Sequence, residues 1–124
     1  MFLGPLVISF NQAGHLSQDR WDQFIAEIEE RPVTHCLGTG LGAIEVNSVQ
    51  RRQAAAALRG LKVAVVSDHA VSRGIVTALG WLGLDIKSFS WGALEEAVRF
   101  LDVPGLSVEE IAQAAIELRD ASRE

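Results

Sequence analysis

Short apolar runs alternate with amphipathic segments along this 124-residue chain. Residues 6–10, 33–37 and 61–66 are apolar and contain β-branched side chains, which is typical of strands. Residues 86–89 form a shorter strand candidate that includes two polar positions. The run LKVAVV at 61–66 is almost wholly apolar and is typical of a central strand covered on both faces.

Apolar residues recur at helical spacing between these strand candidates. Ser17 is a good N-cap for a first helix, which Pro32 ends. A second helix begins near Asn47 or Ser48, both good caps, and Gly60 ends it. Each of these two predicted helices lies between two strand candidates along the chain.

Three further helices follow in the second half of the chain. One covers about residues 71–82, with Leu82 on its apolar side. A shorter one has apolar residues at positions 94, 98 and 101. The last begins after Ser107, which forms a capping box with Glu110.

The order of these elements is β-α-β-α-β-α-β-α-α, which predicts right-handed crossovers and a largely parallel sheet. We therefore expect an α/β fold with about four mostly parallel strands, helices packed on them and an additional C-terminal helix. The expected domain covers residues 1–104, and residues 105–124 form a helix that packs on it or serves as an interface. Trp21, Trp81 and Trp91 are expected in the core, with a partly exposed position at a strand end as the alternative for Trp91.

The composition agrees with one globular domain and limits its chemistry. Hydrophobic residues make up 48% of the chain, an ordinary fraction for a folded protein. A single cysteine, Cys36, excludes an internal disulfide and a cysteine-rich zinc site. No apolar stretch approaches the ~20 residues that span a bilayer, and no basic residue precedes the first apolar run. We predict a cytoplasmic protein without membrane insertion.

The formal net charge of −5 hides an uneven distribution. Acidic residues dominate both ends of the chain, whereas basic residues dominate positions 46–84. That middle segment carries Arg51, Arg52, Arg59, Lys62 and Arg73 against Asp68 alone. A nucleic-acid-binding surface needs a larger positive field, so we predict no nucleic-acid partner. A small anion or an acidic patch on a protein partner stays open.

Two blocks of the sequence carry a family resemblance. The first, GPLVISFNQAGHLSQDRWDQFIAEI, has an opening strand, a glycine-containing turn and a helix. The second, LKVAVVSDHAVSRGIVTALGWLGLDIKSFSWGALEEAVRFL, pairs an apolar strand with an Arg-Gly helix and ends in a helix of the EEAxxFL type. Together they resemble the STAS-like family, small α/β domains related to bacterial anti-anti-sigma factors, over roughly residues 4–102. The resemblance implies a bacterial regulatory or signalling protein that acts through protein–protein contacts.

The resemblance also implies a candidate phosphorylation site. In phospho-regulated members a Ser or Thr starts the helix after the second main strand, and a kinase that is also an anti-sigma factor phosphorylates it. Ser48, in GLGAIEVNSVQRR, is the nearest equivalent. Asn47 stands where those members have an acidic residue, and no glycine follows Ser48. A plain N-cap role for Ser48 is the alternative.

A candidate partner-binding or anion-binding site follows from the element order. In a parallel α/β sheet the helix starts lie at the carboxyl edge of the strands, where ligands bind. Helix N-termini attract anions, and arginine adds a planar fork for phosphate or carboxylate. The candidate residues at this edge are Thr39, Asn47, Ser48, Arg51, Arg52, Asp68, His69, Ser72 and Arg73. Solvated arginines paired with Glu45 or Asp68 are the simpler alternative.

Enzymatic signatures are weak. The glycine-rich stretch 38–42 is interpreted as a loop, and GTGLGA matches a degenerate dinucleotide fingerprint whose helix starts too late to hold a pyrophosphate. Ser67, Asp68 and His69 are adjacent, so their side chains diverge and cannot form a catalytic relay. The histidines and the cysteine lack metal-ligand spacing. We predict no catalytic site, no cofactor and no bound metal.

Two functions stay open on these grounds. The first is a non-enzymatic regulatory protein whose contact surface is the edge just described, with another protein or a second copy of the chain as its partner. The alternative is a module that binds a small apolar or anionic molecule, since related folds enclose such molecules and this chain is apolar for its size.

Overall fold

The structure, a computed structural model, describes residues 1–11, 14–15, 17–41 and 44–123. Its strands are β1 (Phe2–Leu3), β2 (Leu6–Asn11), β3 (Gly14–His15), β4 (His35–Gly40), β5 (Ile44–Glu45), β6 (Lys62–Val66) and β7 (Asp85–Phe89). Its α-helices are α1 (Gln18–Glu30), α2 (Ser48–Ala57), α3 (Ala70–Trp81), α4 (Leu94–Leu101) and α5 (Val108–Arg123), and a 3₁₀ turn at Trp91–Ala93 precedes α4. None of the described helices is both long and apolar enough to cross a membrane.

The main sheet has the strand order β1-β2-β4-β6-β7. Strands β2, β4, β6 and β7 run parallel, and β1 pairs antiparallel with β2. The predicted α/β fold with a mostly parallel sheet is confirmed, and within the described residues β1 adds a fifth strand to the four expected. Because β1 is two residues long, it is too short to show a periodicity in the sequence.

The strands of the main sheet lie side by side in the order in which they occur along the chain. Right-handed crossovers then place α1, α2 and α3 on the same face of the sheet. The hydrophobic cluster on this α1–α3 face includes Cys36 and Val63 of the sheet with Ile28, Ala54 and Leu79 of the helices. Helices α1, α2 and α3 therefore pack on the same face of the main sheet.

Helices α4 and α5 cover the opposite face. Leu101 of α4 and Ile111 of α5 are buried in one cluster with Ile8, Leu37 and Val66 of the sheet. Leu101 is 0% exposed and Ile111 1% exposed. Since α5 contributes fully buried residues, it belongs to the same hydrophobic core as the sheet.

The interpretation of residues 38–42 as a loop is wrong for Gly38, Thr39 and Gly40, which complete β4. Their backbone pairs with β2 on one side and, as far as Thr39, with β6 on the other. Hydrogen bonding to strands on both sides outweighs the weak strand propensity of glycine. Residue 42 of this stretch and residue 43, the last of the GTGLGA motif, lie outside the described residues.

A second, small sheet joins the segments that follow β2 and β4. Strand β3 pairs in parallel with β5, with Gly14 opposite Ile44 and His15 opposite Glu45. The sequence predicts neither strand, since each has only two residues and is too short to show a periodicity. The pairing brings these two segments together beyond the carboxyl ends of β2 and β4.

Ser17 caps α1 as expected, and Asn47 is the one of the two predicted cap candidates that caps α2. Ser17 caps α1 by accepting a hydrogen bond from the Arg20 N–H at 3.3 Å. Asn47 caps α2, because its Oδ1 accepts from the Gln50 N–H at 2.7 Å and the Gln50 side chain accepts from the Asn47 N–H at 3.0 Å. The N-cap interpretation of Ser48 is therefore wrong, since the residue before it forms a complete capping box.

The end of α3 also differs from the prediction. Trp81 is 85% exposed and Leu82 is 54% exposed, so the expected core position of Trp81 and the apolar-face position of Leu82 are wrong. The helix ends at Trp81, so Leu82 no longer follows the helical spacing that would place it on the same face as Leu79. The buried side of α3 carries Ser72, Val76 and Leu79.

Candidate functional site

The carboxyl ends of β2, β4 and β6 lie at one edge of the sheet, beside the first turns of α1, α2 and α3. Parallel strands joined by helices produce this arrangement, and α/β folds bind their ligands there. Of the predicted site residues, those exposed at this edge are Asn47, Ser48, Arg51, Arg52, Asp68, His69 and Arg73. Thr39 and Ser72 are buried. The edge therefore has an outer surface and an inner set of polar groups.

The outer surface combines arginines with valines. Arg51 and Arg52 on α2 and Arg73 on α3 are exposed. Val49 and Val71, the second residues of the same two helices, are 52% and 47% exposed. No carboxylate in the described part of the chain forms an ion pair with Arg51 or Arg52. We call this surface, formed by these five residues, the arginine–valine edge.

Asp68, in the segment after β6, forms hydrogen bonds with Trp91 and Arg73. Its Oδ1 accepts a hydrogen bond from the Trp91 backbone N–H at 2.9 Å, and its backbone carbonyl accepts from the Arg73 guanidinium at 2.9 Å. The Trp91 indole N–H donates to the Gly40 carbonyl at 2.9 Å. Arg73 therefore contacts the backbone rather than the carboxylate of Asp68, and the Glu45 side chain lies outside the described part of the chain.

His69 and Ser67 complete the same turn. The Nδ1 of His69 accepts a hydrogen bond from the Val71 N–H at 3.2 Å and so caps α3. The Ser67 Oγ accepts from the His69 N–H at 3.3 Å. Because Ser67, Asp68 and His69 each contact a different backbone group, these contacts position the start of α3.

The two buried candidates differ in their hydrogen bonding. Thr39 is 2% exposed, and its hydroxyl donates to the Ser9 carbonyl at 2.7 Å, which ties β4 to β2. Ser72 is 5% exposed, and its Oγ has no hydrogen-bond partner within the described residues. Most buried polar groups in folded proteins are paired, so the Ser72 hydroxyl is a candidate contact for a ligand or a water.

A cavity of about 140 Å³ lies between the sheet and helices α1, α2 and α3. Its apolar lining includes Leu58, Val63, Val65, Leu79 and Ile86. Its polar lining includes Trp21, Arg51, Ser67 and Ser72. Since Arg51 is exposed, the cavity reaches the protein surface at the arginine–valine edge.

Glycines in β4 create much of this space. Side chains alternate along a strand, so Cys36, Gly38 and Gly40 face the same side of the sheet, toward α1–α3. Two of these three positions have no side chain, which leaves room beneath the helices. The spacing of Gly38 and Gly40, two residues apart in one strand, is the sequence signal that could have indicated a cavity. The same strand geometry removes them from any phosphate-binding turn at a helix start.

Trp21 also lines the cavity. Its Nε1 is buried and has no hydrogen-bond partner in the part of the chain that the structure describes. Its ring centroid lies 6.0 Å from that of Phe24, which also lines the cavity. The sequence predicts a core position for Trp21 but gives no sign of an unpartnered indole N–H there.

Cys36 is an inert part of the cavity wall. It is 2% exposed, and burial raises the pKa of its thiol from an ordinary 9.0 to about 12. A thiol that stays protonated is a poor nucleophile and a poor metal ligand. Among the described residues, no group of three or more His, Cys, Asp or Glu side chains is placed to hold a metal ion.

These contacts describe an exposed basic surface above an apolar cavity with unpartnered polar atoms. The chemistry available there is binding of an acidic or hydrogen-bond-accepting group. Comparison with protein-family models, with curated proteins and with solved structures finds no match to this chain.

Proposed function

We propose that this domain is a non-enzymatic regulatory protein that binds an acidic segment of a partner protein at the arginine–valine edge. The observation that carries the proposal is the half-exposure of Val49 and Val71 among three exposed arginines. Protein-binding surfaces are enriched in arginine and have apolar centres, whereas nucleic-acid-binding surfaces need a wider positive field. The resemblance to STAS-like regulators supports the same class of function.

Charge complementarity defines the partner's chemistry. The chain carries a net charge of −5, so the arginine–valine edge is a local positive surface on an acidic protein. A guanidinium binds a carboxylate through two parallel hydrogen bonds, and the N-termini of α2 and α3 add positive partial charge. A partner segment with Asp or Glu side chains around an apolar residue matches this surface. Its association is expected to weaken as salt is added.

We further propose that phosphorylation of Ser48 regulates this contact. It is exposed at the first position of α2, and Asn47 makes the cap, so the Ser48 hydroxyl is not needed for capping. A phosphate on Ser48 would add a charge of about −2 close to Arg51 and Arg52, and the helix N-terminus would stabilise it. The phosphate would then compete with the partner's carboxylates for the same guanidinium groups.

Binding measurements with a matched charge control test the docking function. The partner is identified by in-cell crosslinking and then produced pure. Arg51→Glu/Arg52→Glu is expected to weaken its binding at least about tenfold in titration calorimetry, because both side chains lie in the contact. Arg59→Glu/Arg99→Glu changes the net charge equally at exposed positions outside the edge and should leave the affinity within about twofold. Similar effects of both pairs contradict the proposal.

Phosphorylation is tested separately. Mass spectrometry of the protein isolated from its native cells is expected to find phosphate on Ser48, and Ser48→Asp is expected to weaken partner binding while Ser48→Ala retains it. An absence of phosphate at Ser48 under all growth conditions refutes the switch and leaves the docking test unaffected.

A further inference from the structure

Two buried polar atoms in one cavity lack partners among the described residues. They are the Trp21 Nε1 and the Ser72 Oγ, and both residues line the cavity. A buried N–H or O–H group without a partner destabilises the fold, so such groups are few in native proteins. Because both residues line one partly apolar space, a bound molecule with a hydrogen-bond acceptor, or a water, would provide the missing partners.

The volume of the cavity limits the size of that molecule. It measures about 140 Å³, close to the ~150 Å³ of an engineered apolar cavity in another protein that binds benzene. The interior therefore accommodates one aromatic ring or a branched aliphatic group of similar size. A nucleotide or a long lipid chain is too large to be enclosed.

The donor groups lie at one end of the cavity. Trp21, Arg51 and Ser72 are in the first turns of α1, α2 and α3, next to the carboxyl edge of the sheet. Leu58 and Leu79 are at or near the opposite ends of α2 and α3. The cavity is thus apolar at its inner end and polar at the end that reaches the surface.

The donors indicate an anionic head group. Arg51 is the charged residue among the described lining residues, and none of them is Asp or Glu. An indole N–H and a guanidinium group only donate hydrogen bonds, and a serine hydroxyl can donate one. A carboxylate accepts from all three and is neutralised by the guanidinium charge.

We propose that this cavity binds a small monocarboxylate whose apolar body is about the size of one aromatic ring. The body lies against Leu79 and Ile86, and the carboxylate faces the donors of Trp21, Ser72 and Arg51. This proposal does not rest on the docking function, and benzoate binding tests it without any partner protein. Because Arg51 also belongs to the arginine–valine edge, a bound carboxylate lowers the positive charge presented there.

Benzoate is the probe for this site, and benzyl alcohol is its neutral analogue of similar size. Titrations of the full chain are followed by ¹H–¹⁵N NMR, in which the Trp21 indole N–H is a direct reporter. Benzoate is expected to shift that resonance and to bind at least about tenfold more tightly than benzyl alcohol. Unchanged Trp21 indole resonance at millimolar benzoate overturns the proposal, and equal affinity for the two probes overturns the carboxylate assignment.

Two substitutions test the location. Gly38→Val fills the cavity from the sheet, since a Cβ at Gly38 lies 3.7 Å from the Ser9 Oγ and 3.9 Å from the Val65 Cγ2, and it should lower benzoate affinity at least about tenfold. Ser72→Ala should weaken benzoate binding about five- to tenfold while the thermal midpoint stays equal or rises, because an unpartnered buried hydroxyl is removed.

Gly74→Ala is the control for both variants. Gly74 is exposed on α3, a Cβ there meets no atom within 4 Å, and benzoate affinity should stay unchanged. Ser72→Ala leaves the backbone untouched and decides the location even where Gly38→Val fails to fold. Wild-type affinity in Ser72→Ala, or equal losses in Ser72→Ala and Gly74→Ala, overturns the assignment to this cavity.

Discussion

Replacing Gly38 by alanine is expected to stabilise the protein, because β4 has free space where the new methyl group lies. Gly38 pairs with Ser9 on β2 and with Val65 on β6. The added Cβ lies 3.7 Å from the Ser9 Oγ and 3.9 Å from the Val65 Cγ2, which are ordinary van der Waals distances. The φ of Gly38 is not positive, so alanine adopts the same backbone conformation without strain.

Two contributions set the size of the effect. Alanine is favoured over glycine in a strand by about 0.5–1 kcal/mol, because the unfolded chain has less conformational freedom to lose. A fully buried methyl group adds about 0.8 kcal/mol, and less at this partly exposed position. The free energy of unfolding should therefore rise by about 1 kcal/mol, which raises the Tm by roughly 3–5 °C in a domain of this size.

Gly60→Ala is the matched control. A Cβ at Gly60 meets no atom within 4 Å, but its φ of +84° lies in the left-handed region that disfavours alanine. We expect a destabilisation of about 1 kcal/mol there, against stabilisation at Gly38. Urea unfolding followed by far-ultraviolet circular dichroism measures both. A Gly38→Ala variant less stable than the wild type refutes the reasoning, since the space beside β4 would then be filled.

Three further predictions concern the core and the caps. Burial raises the pKa of Cys36 to about 12 from 9.0, so the folded state keeps a proton that the unfolded chain loses as the pH rises above about 9. The free energy of unfolding should then fall by about 1.4 kcal/mol per pH unit until about pH 12, and urea titrations of Cys36→Ala should lack this slope. Asn47→Ala should lower the free energy of unfolding by about 1 kcal/mol, and Ser48→Ala should lower it much less. Equal losses for the two variants in chemical denaturation would contradict the cap assignment. Ile111→Ala should lower the free energy of unfolding by about 2–4 kcal/mol. Removal of residues 105–124 should abolish cooperative thermal unfolding. An unchanged Tm in either variant would exclude α5 from the core.

Local sequence signals predicted much of the scaffold. Residues 62–66 of the LKVAVV run form β6, which lies between β4 and β7, and Ser107 caps α5 by accepting a hydrogen bond from the Glu110 N–H at 3.1 Å. These features depend on residues close together in the chain, such as a hydroxyl beside a free backbone N–H. The strand conformation of Gly38 and Gly40 depends instead on neighbouring strands far away in the sequence, so local propensity predicts the wrong structure there.

The sequence also predicted only the part of the candidate site that depends on local structure. The exposure of Arg51 and Arg52 near the start of a helix agrees with the sequence prediction, because the first turn of a helix after a strand lies at the carboxyl edge. The cavity does not follow from local patterns, because it is bounded by residues of several strands and helices. Ser72 shows the difference. The sequence predicts a helix from about residue 71, but it does not predict that the Ser72 hydroxyl is buried without a hydrogen-bond partner among the described residues.

The two ends of the main sheet bear on how this protein can associate. Among the described strands, β7 forms one edge and β1, with two residues, forms the other. Asp85 and Lys87 are exposed on β7, and the Lys87 ammonium lies 5.4 Å from the centre of the Phe89 ring. A strand from another molecule that paired with β7 would have to desolvate both charges, and β1 offers too short a template for stable pairing. The charges on β7 and the shortness of β1 therefore disfavour the addition of strands from other molecules to these two strands.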